Sequence, residues 1–280
     1  MKTIFAIAIL FLGSGLLNGQ TTTLSDYDNM ILAHNPVGYW MLTRGDQVDA
    51  TNNNLSGTYY GSCLGQAWLP NNETASVFNG IDNYFEIPDN DNLEVTNTGI
   101  LTIEAWMRVG ALNFEKNENN YVHWMGKGTS GNHLWVARMY NQNDTSRSQR
   151  ISGYCFSLTG GLGAGSYFQD SISTTTWVHY ALVINTVNTS PTYPTGYTRI
   201  YRDGILRDTD SLQQYSVVAG NGNAPTRIAT RDFNSFFKGA IGKVAIYNYE
   251  LTAEQLSAHN SMMRQSESPL STTTTGSDQC

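Results

Sequence analysis

A short acidic stretch could do metal chemistry. Asp82, Glu86, Asp89, Asp91 and Glu94 fall within thirteen positions and are interleaved with Asn and Gly residues, whose amides and carbonyls add further oxygens. Calcium takes about six to eight oxygen ligands, so the stretch predicts a calcium site with Asp82 and Asp89 as ligands. It is not an EF-hand, because Leu93 stands where a ligand is needed. A solvated hairpin turn without metal is the alternative.

Catalysis has weaker support. Glycoside hydrolysis needs two carboxylates about 5 to 10 Å apart, and Glu104 is the only carboxylate in its strand-like segment, where Arg108 is the expected partner. The five histidines show no metal-binding spacing: His34, His123, His133, His179 and His259. We expect His179 to be structural. The glycine-rich run 160–165 lacks the spacing and the strand-to-helix context of a phosphate loop. The sequence therefore predicts a protein that is not an enzyme.

Aromatic residues in polar segments offer a different chemistry, because sugar C–H faces stack on aromatic rings while amides hold the hydroxyls. Six aromatic residues lie in segments that suggest loops: Trp68, Tyr121, Trp124, Tyr140, Tyr167 and Tyr193. From these and the amides beside Tyr140 we predict four ligand-binding residues: Trp124, Tyr140, Asn141 and Tyr167. Core packing is the alternative for each ring. We assign Trp40, Trp106 and Trp177 to the core.

The two ends of the chain differ from the rest of the sequence: the first residues suggest export, and the last residues suggest disorder. Lys2 and an apolar run from Ile4 to Leu12 precede small and polar residues up to Gly19, which predicts a signal peptide over residues 1–19. The apolar run is shorter than the roughly 20 residues that span a bilayer. We expect a secreted protein, extracellular, periplasmic or at the cell surface, without a transmembrane segment. Residues 265–280 are rich in Ser and Thr and predict a disordered tail.

The net charge of the chain excludes one class of partner, and its cysteines and sequons indicate possible covalent modifications. The formal net charge is −7 and no Lys/Arg cluster occurs, which argues against nucleic acid as a partner. Cys63 and Cys155 form a disulfide or are separate small apolar residues, and Cys280 is left over. In a eukaryotic secretory pathway the N-x-Ser/Thr sequons would make four asparagines glycan acceptors: Asn54, Asn72, Asn143 and Asn188.

The hydrophobic pattern indicates β-structure between two short helices. Residues 101–109 alternate apolar and polar side chains, and residues 178–184 are apolar at nearly every position, as in a central strand. Asp203-Gly204 predicts a tight hairpin turn. Ser25 is placed to cap a first helix that ends before Pro36, and Thr252 with Gln255 forms a capping box for a last helix reaching about His259. We predict an all-β, two-sheet antiparallel sandwich.

Six segments, in this order, resemble the laminin G-like, concanavalin A-like jelly-roll family: PVGYW, GTY, FNGIDNYFEIPD, LTIEAWM, WVHYALV and FKGAIGKVAIYNYEL. The resemblance spans residues 24–260 and implies a jelly-roll domain whose relatives bind glycans or proteins outside cells. Many relatives hold calcium at the rim. This chain has Gly242-Lys243 where the family commonly has an acidic pair in the last strand.

The sequence and the resemblance together predict a secreted, non-catalytic carbohydrate-binding or adhesion module, with extracellular glycans or glycoproteins as partners and calcium as a possible cofactor. A structural or protein-binding component without glycan affinity is the main alternative, and a polysaccharide-active enzyme is a third. These hypotheses share one fold, so the site must separate them.

Overall fold

A computed structural model describes residues 24–43, 46–62, 65–129 and 131–265. This part of the chain forms two antiparallel sheets packed face to face, with short helices at each end of the sequence. The predicted all-β jelly-roll sandwich is therefore confirmed. The predicted signal peptide and most of the predicted disordered tail lie outside the described residues. No described helix has the length and apolar character needed to cross a membrane.

Fifteen strands and three α-helices follow one another within the described residues. The helices are α1 (Asp26–Ala33), α2 (Val95–Thr98) and α3 (Ala253–Arg264). The strands are β1 (Gly38–Trp40), β2 (Thr58–Tyr60), β3 (Gly65–Trp68), β4 (Thr74–Asn79), β5 (Tyr84–Ile87), β6 (Ile100–Val109), β7 (Tyr121–Thr129), β8 (Asn132–Tyr140), β9 (Ile151–Cys155), β10 (Ala164–Phe168), β11 (Val178–Asn185), β12 (Tyr197–Arg202), β13 (Ile205–Ser211), β14 (Thr226–Ile228) and β15 (Lys238–Tyr247).

Strands distant in sequence are neighbours in both sheets. The eight-stranded sheet has the order β13-β12-β11-β6-β15-β4-β3, and β1 pairs with β15 beside this path. The seven-stranded sheet has the order β10-β9-β8-β7-β14-β5-β2. Consecutive hairpins such as β7–β8–β9–β10 build one side of the second sheet, while β2, β5 and β14 reach it from elsewhere in the chain.

Two apolar clusters stabilise the sandwich. The first fills the space between the sheets, with Phe85, Ile103 and Trp135 among its members. The second lies on the outer face of the eight-stranded sheet, where α1 and α3 cover Trp106 and Trp177. Trp40, Trp106 and Trp177 are buried, as the sequence predicts. Because helices cover that outer face, the alternating polar residues of β6 are buried too, so its alternation does not mark a solvent-facing side.

Local sequence signals set most element ends. Ser25 caps α1 through its side chain, and Thr252 and Gln255 form the predicted capping box of α3. The last helix extends to Arg264, beyond the predicted end near His259, because Leu256 and Met263 continue its buried side. Asp203 and Gly204 turn the β12–β13 hairpin with φ of 54° and 77°, a left-handed conformation that Asp tolerates and Gly favours.

Candidate functional site

The outer face of the seven-stranded sheet carries the candidate site. A row of directly paired residues crosses five of its strands, from Tyr154 through Val136, Gly126 and Arg227 to Glu86. Directly opposite residues in antiparallel strands lie on the same face. The opposite face carries Phe85, Met125 and Ile228 of the central core, so the Tyr154–Glu86 row faces away from that core.

One end of this face presents an aromatic platform made of Tyr60, Tyr84, Phe233 and Phe236. Tyr60 and Tyr84 stack with ring centroids 5.0 Å apart, and the Phe233 ring meets Tyr84 edge-on at 5.1 Å. Tyr60 is 43% exposed and Phe233 is 41% exposed. Arg227 lies 4.4 Å over Phe233 and is itself paired with Glu86 at 2.7 Å. The platform therefore combines exposed rings with charged hydrogen-bonding groups.

The other end carries tyrosines and arginines, which we call the tyrosine–arginine half: Tyr121, Arg138, Arg150, Tyr154 and Tyr167. The Arg138 guanidinium lies 4.0 Å from the Tyr121 ring and 4.8 Å from the Tyr154 ring. Arg150 lies 3.9 Å from the Tyr167 ring, which is 40% exposed. The aromatic faces hold both guanidinium groups in fixed orientations.

A group of titratable side chains separates the two ends. Ligand atoms of Glu118, His123 and Asp232 lie within 4.8 Å of one another. Arg231 pairs with Asp232 and lies over Gly126, where an added Cβ would come within 3.2 Å of the Arg231 side chain. The spacing of the histidines in the sequence does not indicate this cluster, because Asp232 is far from Glu118 and His123 in the chain and meets them only at β7.

The cluster does not fit a resident metal ion. Arg138 donates to His123 Nε2 from Nε at 3.3 Å and Nη2 at 3.1 Å. A guanidinium can only donate, so Nε2 holds a lone pair and the ring proton of neutral His123 resides on Nδ1. That Nδ1 faces Glu118 Oε2 at 3.6 Å, and neither atom has a hydrogen-bond partner. A metal would need the Nδ1 lone pair, which this tautomer lacks.

The His123 ring is also held neutral. Burial, followed by the charges of Arg231 and Arg138, lowers its pKa well below the ordinary value. Glu118 and Asp232 are two carboxylates brought close together, which the sequence did not predict because they lie on separate segments. Asp232 is already bound by the Arg231 guanidinium and its side chain is 4% exposed, so the pair does not flank an open cleft.

The two predicted calcium ligands lie at opposite ends of β5. Asp82 in the β4–β5 turn accepts hydrogen bonds from Asn79 and Ser62, and the bonds from these two side chains lower its pKa. Asp89, beyond β5, is bound by the buried ammonium of Lys127. Lys127 Nζ also lies 3.2 Å from Glu94 and donates to the Ala224 carbonyl at 2.6 Å. A lysine is therefore the cation among these oxygens. Calcium binding stays a prediction.

The four predicted ligand-binding residues divide between surface and interior. The expected loop position of Trp124 is wrong: it lies on β7 and is 0% exposed, packed edge-on to Tyr180 at 4.8 Å. A register irregularity between His123 and Met125 turns Trp124 into the core. Tyr140 and Asn141 are also buried, contrary to an exposed loop. Tyr140 accepts from Arg138 and Arg147, and Asn141 accepts from the Phe114 amide at 3.0 Å.

Tyr167 is the one predicted ligand residue that the structure leaves exposed on the candidate face. Sequence reasoning missed the platform residues Tyr60, Tyr84 and Phe233. A signal existed for Tyr84, since Tyr84 and Glu86 alternate with the core residues Phe85 and Ile87 in the β5 segment. Such alternation indicates which side chains face away from the core.

Comparison with known proteins agrees with this architecture. The sequence profile of a laminin G-type family, described as the concanavalin A-like lectin/glucanases superfamily, matches residues 79–257. The chain belongs to this superfamily. No curated protein sequence matches the chain significantly. The evolutionary relationship is thus established at the level of family and fold.

Solved structures share the lectin-like sandwich at low sequence identity. Domain 4 of AbnA, a GH43 extracellular arabinanase from Geobacillus stearothermophilus in complex with arabinotriose, is similar with a TM-score of 0.55 and 16% identity over 80% of this chain and 98% of that chain. The binding domain of botulinum neurotoxin DC in complex with SialylT is similar with a TM-score of 0.60 and 13% identity over 82% and 52% of the two chains. The chain spans about half the length of that neurotoxin domain.

A buried polar cluster joins the helices of the lectin-like sandwich to its eight-stranded sheet. Glu104 on β6 lies 3.0 Å from His179 Nε2 and 2.9 Å from His259 Nδ1, and it accepts from the Tyr247 hydroxyl at 2.6 Å. His34, at the end of α1, is 2.7 Å from His259. The predicted Glu104–Arg108 pair is wrong, because Arg108 instead lies 5.3 Å over the Trp177 ring. His179 is structural, as predicted.

The structure describes some of the residues for which the sequence predicts a disulfide or attached glycans. Cys155 is buried at the end of β9 and is bonded to no other cysteine among the described residues; burial raises the pKa of its thiol to about 12. Cys63 and Cys280 lie outside the described residues, so the Cys63–Cys155 disulfide stays a prediction. The four sequon asparagines, Asn54, Asn72, Asn143 and Asn188, are all exposed, and their glycosylation also stays a prediction.

Proposed function

We propose that the chain is a secreted, non-catalytic carbohydrate-binding protein whose ligand lies across the outer face of the seven-stranded sheet. The aromatic platform carries this proposal. The exposed rings of Tyr60 and Phe233 flank the half-buried ring of Tyr84, and stacking on such rings is the main apolar contact available to a sugar.

Polar groups beside the rings support a saccharide over a purely apolar ligand. Glu86 and Arg227 pair next to the platform, and Asn79 at the end of β4 bonds to Asp82 in the turn that precedes Tyr84. Hydroxyl groups of a sugar both donate and accept hydrogen bonds, so they match carboxylates, amides and guanidinium groups together. The arabinotriose and SialylT complexes of structurally similar proteins are consistent with this proposal.

The arrangement of carboxylates supports a binding role over catalysis. Glycosidases place two free carboxyl groups on either side of the scissile bond. On this face Glu86 is held by Arg227 and Asp232 by Arg231. We expect no release of reducing ends from any polysaccharide that the protein binds, which a reducing-sugar assay measures. Release that stops in Asp232→Asn would overturn the non-catalytic assignment.

A glycan array tests the binding function. The secreted chain is applied with calcium and again with chelator, and Tyr84→Ala is applied in parallel. Binding by the folded wild type that weakens in Tyr84→Ala supports the proposal. Loss of binding in chelator would add a calcium-dependent site to it. Folded protein that binds no saccharide would favour the alternative, a protein-binding or structural component outside cells.

A further inference from the structure

Two arginines of the tyrosine–arginine half have no negative partner among the described residues. Several other arginines of the described chain are paired, among them Arg147 with Asp144, Arg227 with Glu86 and Arg231 with Asp232. Arg138 and Arg150 form no ion pair with any carboxylate among the described residues; Arg138 bonds to His123 and Tyr140, and Arg150 bonds to Gln169 at 3.0 Å. Two positive charges therefore lie uncompensated on one face.

Strand register places the backbone positions of these two arginines on neighbouring segments of one face. Arg138 on β8 is directly opposite Ser152 on β9. Arg150 immediately precedes β9, where its carbonyl accepts from the Tyr140 amide at 2.9 Å and its guanidinium lies over the Tyr167 ring. Tyr167 on β10 is also directly opposite Ser152, so its side chain lies on the same face as those of Arg138 and Ser152.

Both guanidinium groups keep donors free for a ligand. Arg138 uses Nε and Nη2 toward His123 and Nη1 toward Tyr140, which leaves part of its five N–H groups unused. Arg150 donates from Nε alone. The planar N–H fork of Arg matches the paired oxygens of a carboxylate or a sulfate. Because Tyr121, Tyr154 and Tyr167 already hold the guanidinium planes, little side-chain freedom is lost on binding.

The neighbouring carboxylates of Glu118 and Asp144 form no ion pair with Arg138 or Arg150. Glu118 lies on the far side of the His123 ring from Arg138, and Asp144 accepts from Arg147. The Tyr140 hydroxyl accepts hydrogen bonds from both Arg138 and Arg147 and so lies between these two guanidinium groups. An anion that approaches Arg138 and Arg150 therefore meets donors and aromatic rings first.

We propose that the tyrosine–arginine half binds the anionic group of an acidic saccharide, a carboxylate or a sulfate ester, through Arg138 and Arg150. This inference rests on the proposed glycan-binding function. It assigns that function a ligand class, since neutral sugars offer nothing that matches two unpaired guanidinium groups.

Matched pairs of saccharides test the ligand class. The secreted chain is titrated with oligogalacturonate and its methyl ester, with sialylated and desialylated glycans, and with sulfated and desulfated glycosaminoglycan fragments. We expect at least tenfold tighter binding of the acidic member of one or more pairs, weakening as salt rises from 50 to 500 mM. The pair that shows the preference identifies carboxylate or sulfate as the group.

Three variants assign the effect to the two arginines. Arg150→Gln removes a charge at the surface, and Arg138→Lys keeps the charge but removes the fork. Both should reduce the acidic preference, whereas Arg199→Gln on the eight-stranded sheet should retain it. Equal binding of acidic and neutral members, or an acidic preference that survives in both variants, would overturn the anionic assignment while glycan binding stands. No binding of any saccharide by folded protein would overturn both.

Discussion

Glu104 and His259 are 155 residues apart in the sequence, yet Glu104 Oε2 and His259 Nδ1 are hydrogen-bonded at 2.9 Å in the interior. Burial alone would raise the pKa of the Glu104 carboxyl, but the charge of His259 and the hydrogen bonds of His179 and His259 hold it well below its usual range. This contact attaches α3 to the centre of the eight-stranded sheet.

Removing the Glu104 charge should destabilise the fold. In Glu104→Gln the two histidines and the Tyr247 hydroxyl lose their common acceptor, and breaking a buried charged pair costs about 3–5 kcal/mol. We expect the free energy of unfolding from urea titration to fall by an amount of that order. Glu254→Gln, at an exposed position on α3, is the control and should change little. Equal stability of the two variants would contradict a structural role for the cluster.

Truncating the aromatic platform should weaken glycan binding. Tyr84→Ala removes the central ring that touches Tyr60 and Phe233. Aromatic contacts contribute about 0.5–1.5 kcal/mol beyond area burial, so we expect affinity to fall severalfold or more. Trp68→Ala is the matched control, because Trp68 is 59% exposed on the other sheet. Calorimetric titration measures both variants, and a larger loss in Trp68→Ala would move the site away from the platform.

Stability should decline as the pH falls below about 6.5, the ordinary pKa of His. The lowered pKa of native His123 means that the unfolded chain takes up this proton at a higher pH than the folded chain. Protonation below 6.5 then favours unfolding, with a slope of up to about 1.4 kcal/mol per pH unit for one group. Urea unfolding between pH 5 and 8 measures the slope.

The matched variant is His123→Gln, which cannot gain that proton. Its stability should depend less steeply on pH between 5 and 6.5 than that of the wild type. His34 and His133 also have lowered pKa values, so part of the dependence will remain. Identical slopes in wild type and variant would show that His123 is already protonated in the folded chain or does not contribute.

Lys127 should be essential to the stability of the segment that follows β5, where its ammonium binds the predicted calcium ligand Asp89 and the Glu94 carboxylate. Burial raises the pKa of Glu94, and the charge of the Lys127 ammonium reverses part of that rise. Lys127→Met keeps most of the side-chain volume but leaves two carboxylates without a cation, and we expect a loss of about 3–5 kcal/mol in urea unfolding. Lys238→Met, at an exposed position, is the control. Adding Glu94→Gln to Lys127→Met should restore part of the loss.

The Cys155 thiol should resist modification in the folded protein. It is buried, and its pKa of about 12 leaves almost no thiolate at neutral pH. We expect iodoacetamide to label Cys155 only after denaturation, as measured by peptide mass spectrometry without prior reduction. A peptide in which Cys155 is linked to Cys63 would instead establish the predicted disulfide and replace this expectation.

The sequence by itself determined the sandwich, because strand alternation, the Asp203-Gly204 turn and the capping boxes at Ser25 and Thr252 act within a few residues. The same local signals also identified Trp40, Trp106 and Trp177 as core residues. They failed at Trp124, where one strand irregularity reversed the side that faces the core.

Only the tertiary structure decided which side chains form the candidate site. Tyr84 contacts Tyr60 across the β2–β5 pairing and Phe233 from a segment about 150 residues further along, and the β8–β9 pairing brings Arg138 onto the face that also carries Tyr154. Lys127 reaches Asp89 in the same way, across β14 and β5. Sequence patterns report whether a residue faces the core, whereas the partners on the solvent side depend on strand order and register, which no local periodicity encodes.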